Sequence, residues 1–333
     1  MFVVQSYLIA VIFCFITMLC WGSWANTQKL ARKEWRYELF YWDYAIGVLL
    51  MSVIFAFTLG SIGSLGRSFI RDISQADFSN ILYAFTGGVV FNAANILLVA
   101  AIAIAGMSVA FPVGIGLALV LGVIVNYIAT PLGNPILLFV GVALVVAAII
   151  LDSVAYRRLP GQPKSVSTKG LLLSILCGIL MGFFYRFVAR SMSSDFINLE
   201  PGKLSPYTAV FFFSIGVFIS NFVFNTIIMK KPFVGEPVSY REYFKGSFGT
   251  HLIGILGGII WCIGMTFSII AAGQAGFAIS YGLGQGATMV AAFWGVFIWK
   301  EFKEAPEGTN SLIALMFLSF IAGLLLIIIS KII

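Results

Sequence analysis

Polar side chains set inside long apolar runs are the residues of this chain that can do chemistry. The run Cys20-Trp21-Gly22-Ser23-Trp24-Ala25-Asn26-Thr27-Gln28 places amide and hydroxyl groups beside two indoles. At helical spacing Trp21, Trp24 and Gln28 share a face, with Asn26 close to it. Hydrocarbon cannot satisfy such groups, so a cavity lining is one reading; an interfacial aromatic belt is the other. Asn92 and Asn95 stand three apart, beside Phe91. An amide both donates and accepts, so this pair suits the carbonyl and N–H edges of a small solute, or a bond between helices. Tyr281, Gln285 and Thr288 form one stripe at i, i+4 and i+7, interleaved with Gly282, Gly284 and Gly286. Those glycines permit tight packing or the approach of a ligand to the backbone. Pro112 interrupts another apolar run and predicts a kink, with Phe111 beside it as a cavity wall. The expected substrate-binding set is Trp21, Trp24, Asn92, Asn95, Phe111, Tyr281, Gln285 and Thr288.

Ionisable groups in apolar segments are expensive and point to function. Asp43 has two roles open to it: a proton site, or a helix cap paired with Lys29 or Arg32. Arg186 can neutralise a carboxylate on a solute or pair with Asp195. His251, the single histidine, titrates near neutrality when unperturbed. Asp43, His251 and Arg186 are the candidates for coupling to an ion. Lys300 and Glu301 read as a snorkelling pair.

The elements that position these residues follow from composition. Hydrophobic residues make up 60% of the 333, charged residues 10%, and mean hydropathy is +1.03. A soluble domain carries about 25% charge. The chain therefore reads as an all-α integral membrane protein. Ten apolar segments are long enough to span, roughly 4–26, 39–60, 79–104, 107–128, 135–152, 169–188, 206–228, 249–273, 276–299 and 310–330. The first lacks a basic start and reads as a spanning helix rather than a leader. Pro131 and Pro135 separate the fourth and fifth. Pro160, Gly161 and Pro163 mark a central loop, and Pro201 and Pro206 frame the loop before the seventh.

The middle of the chain repeats itself. Gly87, Gly88, Gly106, Gly114 and Gly116 recur 170 residues later as Gly257, Gly258, Gly276, Gly284 and Gly286, and Phe111 recurs as Tyr281. Such register indicates two copies of one unit. The first segment matches the sixth less well, through Gly22 and Gly182, and the second and seventh show no convincing match. The expected organisation is a first five-helix repeat over 1–155, a cytoplasmic linker over 156–168, and a second five-helix repeat over 169–333. An odd number of helices per copy inverts the second copy, so the expectation is ten transmembrane helices as two inverted repeats with a site between them. Fourteen basic residues fall in the loops of one side and five on the other. That bias puts the linker in the cytoplasm and both termini outside, in a plasma membrane.

Other classes are poorly supported. The basic residues are scattered through short loops, which is not a nucleic-acid footprint. The stretch 156–169 has no phosphate-cradling GxxxxGK[ST]. A zinc helix, paired buried carboxylates and a Ser/His/Asp set are all missing from the sequence, so an enzyme is not expected. Cys14, Cys20, Cys177 and Cys262 sit in apolar segments as small hydrophobes, with no metal or disulfide role expected. No cofactor is expected beyond a proton or sodium gradient. The expected partners are a small-molecule substrate and the bilayer, and the sequence leaves oligomeric state open, a monomer included.

Gly22-Ser23-Trp24, Trp42-Asp43-Tyr44, Gly87-Gly88, Asn126-Tyr127 and Gly141-Val142-Ala143 follow one another in an order and spacing that resemble the drug/metabolite transporter superfamily, and within it the ureide permease-like branch. The resemblance spans both repeats. It implies ten helices in two inverted halves and proton-coupled import of small polar heterocycles such as allantoin, uracil, xanthine or hypoxanthine. Related branches import glucose, ribose and rhamnose, so a sugar carrier is the alternative. Plant members carry a longer central loop with a P-loop-like element, which this chain lacks. A lipid or drug exporter is the reading of another class, and Asn92 with Asn95 argues against its apolar cavity. A receptor-like protein gains nothing from duplicated halves.

Overall fold

Helix boundaries follow local signals at most ends. Asn134 accepts hydrogen bonds from the Ile136 and Leu137 amides and Pro135 opens the helix; Ser205 and Pro206 do the same at another start. Ser167 and Ser247 cap two more. The computed structural model describes residues 1–31, 35–160 and 167–333. Among them there is no β-strand, and nine helices are long and apolar enough to cross a membrane. We number the apolar helices α1 (Tyr7–Ser23), α2 (Tyr37–Phe57), α3 (Phe78–Ala105), α4 (Met107–Ala129), α5 (Pro135–Arg157), α6 (Thr168–Ser191), α7 (Pro206–Lys230), α8 (Phe248–Ala275), α9 (Phe277–Ile298) and α10 (Thr309–Ile329). The nine are α2 to α10. Helix α1 is apolar but only 17 residues long, shorter than the expected 4–26. Helix α5 runs to Arg157, which shortens the linker; residues 161–166 of that linker lie outside the described residues, as do Arg32 and Lys33.

Two joints take the sharpest turns. Gly106 (φ 78, ψ 163) joins α3 to α4, and Gly276 (φ 83, ψ 155) joins α8 to α9. Both have a positive φ that side chains with a Cβ resist. These two glycines are the repeat pair found in the sequence, and their backbone shapes agree.

Packing follows the same correspondence. Helix α1 lies on α8 and α6 on α3; α2 packs on α8 and α7 on α3; α9 lies on α1 and α4 on α6; α5 pairs with α10. Glycines set the closest crossings. A Cβ on Gly258 would strike the Tyr44 carbonyl, and one on Gly88 the Phe213 carbonyl; one on Gly47 would strike the Ile255 carbonyl, and one on Gly216 the Phe85 carbonyl. Gly47 and Gly216 thereby occupy matching places on α2 and α7, the helices with no convincing match in sequence. Small residues let helix backbones approach where lipid offers no hydrophobic drive to associate.

Helices α4 and α9 are both irregular. In α4 the Gly116 amide bonds the Phe111 carbonyl, a π turn next to Pro112. In α9, bonds of the i to i+3 type interrupt the helix at Gln285–Gly286. The α9 break stands 170 residues after the end of the α4 π turn, the offset of the glycine match.

An arginine binds backbone carbonyls across the bundle on each face. On the face where α2 ends, Arg67 pairs with Asp72 (2.9 Å) and donates to the carbonyls of Leu199 (3.0 Å), Glu200 (3.0 Å) and Lys203 (2.7 Å). Asp72 also accepts the Ser205 amide (2.7 Å). On the other face Arg36 pairs with Glu38 (2.7 Å) and donates to the carbonyls of Val234 (3.0 Å) and Glu236.

Candidate substrate site

Helix α2 carries Tyr37, Tyr41 and Tyr44 at i, i+4 and i+7, and their rings stack 5.1 Å apart at each step. Trp24, at the end of α1, lies 4.6 Å from Tyr44. Trp261 of α8 touches Phe91 of α3 (4.3 Å), Phe213 of α7 (5.7 Å) and Trp21 of α1 (5.9 Å), and meets Tyr44 edge-on at 6.4 Å. The indole of Trp21 donates to the Trp261 carbonyl (3.3 Å). Aromatic side chains from five helices thus meet at the crossing of α1, α2, α3, α7 and α8. Offset and edge-on ring pairs of this kind fix orientation as well as burying area.

The polar groups beside these rings differ in how fully they are used. Asn92 is fully buried; its oxygen accepts from the Tyr41 hydroxyl (2.8 Å), and its nitrogen donates to Ser220 Oγ (2.8 Å) and the Val217 carbonyl (3.2 Å). It ties α2, α3 and α7 together. Asn95 donates to the Tyr41 hydroxyl (3.1 Å), and its oxygen has no partner among the described residues. The Tyr44 hydroxyl is buried and has no partner among the described residues, as is the case for the Tyr37 hydroxyl and both side-chain polar atoms of Asn221. Buried polar atoms nearly always find partners, so these groups hold unused hydrogen-bonding capacity.

Other expected residues go elsewhere. Tyr281 is buried against Gly122 and donates to the Met181 (3.1 Å) and Ala118 (3.3 Å) carbonyls. Its neighbours are Tyr185 (5.1 Å) and, edge-on, Phe184 (6.3 Å), a group that continues through Ser268 and Ser280. Thr288 turns back to the Gln285 carbonyl (2.9 Å). Gln285 is buried at the break in α9; its backbone N–H donates to the Tyr281 carbonyl (3.1 Å), and its side-chain amide makes no hydrogen bond among the described residues. Phe111 opens the π turn of α4. Ser23 and Asn26 accept from the Trp294 (2.9 Å) and Trp299 (2.7 Å) indoles, so these two polar groups of the α1 run serve packing against α9.

The ionisable candidates also find partners unlike those expected. Asp43 does not pair with Lys29, and Arg32 lies outside the described residues. The Asp43 Oδ1 meets His251 Nδ1 (2.8 Å) and accepts from the Tyr243 hydroxyl (2.7 Å); its Oδ2 is buried without a partner. The His251 ring is enclosed by Trp35 (5.1 Å, edge-on) and Tyr243 (4.8 Å). Burial, with the Asp43 carboxylate beside it, pushes the Tyr243 hydroxyl pKa up from the usual phenol value. Lys29 instead binds Glu301 (2.9 Å), which also accepts from Tyr156 (2.7 Å), so Glu301 is no snorkelling partner of Lys300. Asp195 bonds Asn198 (3.0 Å) and the Ile197 amide (2.7 Å), which hold its carboxyl below the usual range. It does not pair with Arg186, which is half-buried in α6. Among the described residues no cluster of ligating side chains could hold a metal.

Sequence reasoning left Tyr37, Tyr41, Tyr44 and Asn221 out of the site. The tyrosines had a signal: three of one type at helical spacing inside an apolar segment. Trp261, which stands 170 residues after Phe91, was left out as well.

The family profile described as Ureide permease matches residues 40–165 and 157–330. Ureide permease 2 of Arabidopsis thaliana is 24% identical over 387 aligned residues, covering 97% of this chain and 97% of that protein. Transmembrane protein 144 homolog A of Dictyostelium discoideum is 28% identical over 186 residues, covering 52% of this chain and 42% of that protein. A solved crystal structure superposes with a TM-score of 0.60 at 14% identity, covering 95% of this chain and 96% of that one, a likeness of fold.

Proposed function

The chain belongs to the ureide permease family, whose members are membrane transporters and not enzymes, and from that premise we propose that it is a secondary carrier of a small, neutral, planar heterocycle of the ureide or nucleobase type. The observation that carries this reading is the meeting of Trp24, Tyr44, Phe91 and Trp261 beside the unfilled hydrogen-bonding capacity of Asn95 and Tyr44. Rings hold a flat solute, while an amide and a hydroxyl read its carbonyl and N–H edges. Trp21, whose indole donates to the Trp261 carbonyl, and Asn92, which accepts from Tyr41, support that position, while Phe111, Tyr281, Gln285 and Thr288 lie on α4 and α9 outside it.

The carrier works by alternating access, with ten spanning helices in two inverted five-helix halves. The exchange of α1 with α6, α2 with α7 and α3 with α8 in the packing pairs supports this arrangement. So do the matching irregularities of α4 and α9, since broken helices at the midplane are common in carriers built this way. The loop charges favour both termini outside a plasma membrane. A proton drives uptake through Asp43 and His251, which join α2 to α8 by a hydrogen bond that protonation would alter. Arg186 is a secondary candidate for that role.

Uptake by proteoliposomes of allantoin, uracil, ribose and glucose tests the substrate class. Accumulation of allantoin or uracil is expected. Uptake of ribose or glucose alone would make the chain a sugar carrier, and uptake of none would remove the proposal.

A further inference from the structure

A pocket of about 200 Å³ opens between the start of α2, the second half of α3 and the end of α7, lined by Tyr37, Ile96, Val99, Ala100 and Ile228, with Arg36 and Glu38 at its edge. Drug-sized ligands take about 300–1,000 Å³, so this space suits a smaller solute. Three observations give it a chemistry. Its walls are mainly apolar. The Tyr37 hydroxyl is buried and has no hydrogen-bond partner among the described residues. The charges at the edge already satisfy each other, because Arg36 binds Glu38 and the Val234 carbonyl. A solute held there is neutral, presents a flat face and can bond a hydroxyl.

The pocket is linked to the central site by a ladder of packed rings. Tyr37 stacks on Tyr41 at 5.1 Å, and Tyr41 stacks on Tyr44 at the same spacing. Ile96 follows Asn95, whose nitrogen donates to the Tyr41 hydroxyl. Along this ladder the middle rung has its hydroxyl filled, while the first and last have theirs free.

We infer that the pocket is a second substrate subsite, an antechamber on the cytoplasmic side in which Tyr37 holds the heterocycle after it passes along the ladder from Tyr44, Asn95 and Trp261. The inference rests on the carrier reading above, and it adds a place and a residue to it. Two free hydroxyls separated by a filled one make two positions at which a solute can stop. The satisfied Asn92–Tyr41–Asn95 set between them keeps the helices in register.

Uptake kinetics of allantoin and uracil in proteoliposomes test the antechamber with two variants. Tyr37→Phe keeps the ring and removes the hydroxyl; it should raise KM about two- to tenfold, the equivalent of one neutral hydrogen bond. Ala103→Cys places a thiol in the same lining. Its labelling by a maleimide in purified protein should slow at least fivefold with saturating allantoin or uracil. If the parent takes up neither solute, the carrier reading fails and the antechamber with it. Should the parent transport while Tyr37→Phe keeps the parental KM and labelling at 103 is unprotected, the antechamber alone is overturned. Protection at 103 with a raised KM supports it.

Discussion

Phe91 and Trp261 stand 170 residues apart, the offset of the glycine match, and their rings touch with centroids 4.3 Å apart. Trp261 extends this contact to Phe213 and Trp21, so one indole binds four helices together.

Truncating that indole should therefore be felt by the whole bundle. Trp261→Ala removes a buried ring from a packed core, a change that costs about 3–5 kcal/mol. Trp261→Phe should lose much less. Thermal unfolding in detergent compares them, and a parental midpoint for Trp261→Ala would show that the contact is idle.

The glycine crossings predict a sharp contrast between two identical substitutions. Gly258→Ala drives a methyl into the Tyr44 carbonyl, and overpacking of this kind costs roughly 1–3 kcal/mol. Gly116→Ala meets nothing within 4 Å and should be tolerated. The yield of monodisperse protein after size exclusion distinguishes the two; equal yields would contradict the close approach of α2 and α8.

Asn92 and Asn95 should separate into different roles. Asn92→Ala leaves Tyr41 and Ser220 short of partners, and stranding buried polar groups costs about 1–3 kcal/mol of stability. Asn95→Ala breaks one bond and should lower stability little while weakening solute affinity severalfold. Melting curves read alongside equilibrium binding of allantoin and uracil resolve the pair. Parental binding by Asn95→Ala would move the central position away from this amide.

Asp43 and His251 should govern coupling rather than recognition. Asp43→Asn is expected to abolish accumulation driven by an inward proton gradient while solute exchange without a gradient continues. His251→Gln should do the same. Gradient-driven accumulation at the parental level in both would leave the pair a structural tie between α2 and α8.

Arg67→Ala should loosen the face where α2 ends, since Arg67 ties it to the carbonyls of Leu199, Glu200 and Lys203. A cysteine placed at Ser280, buried beside Ser268 and Tyr185, should label several times faster with an impermeant maleimide in that background. An unchanged rate would mean that the carbonyl contacts do not hold the face shut.

Much of this architecture was legible in the sequence because glycine spacing and apolar length are local properties. Gly106 and Gly276 could be matched by register alone, and their backbones agree. Gly47 and Gly216 could not, since the residues around them differ and only the crossing geometry equates them. Within the site, Asn92 and Asn95 stood out as amides in an apolar helix, but spacing does not say which amide is already bonded. Tyr41 decides that, and it lies on another helix. Asp43 was visible as a buried charge, while its partner His251 lies 208 residues away and no local pattern links them.

The Arg67 contacts have a consequence for how this protein tolerates inheritance. Three of its acceptors, on Leu199, Glu200 and Lys203, are main-chain oxygens. Every amino acid supplies the same oxygen, so those three codons can drift without loosening the contact, provided the loop keeps its course. Only Arg67 and its carboxylate partner Asp72 are bound to their chemistry. Variation among descendants of this sequence should therefore be lopsided at that contact, wider at positions 199, 200 and 203 than at 67 and 72, with Gly202 held by its positive φ and its close approach to Asp77.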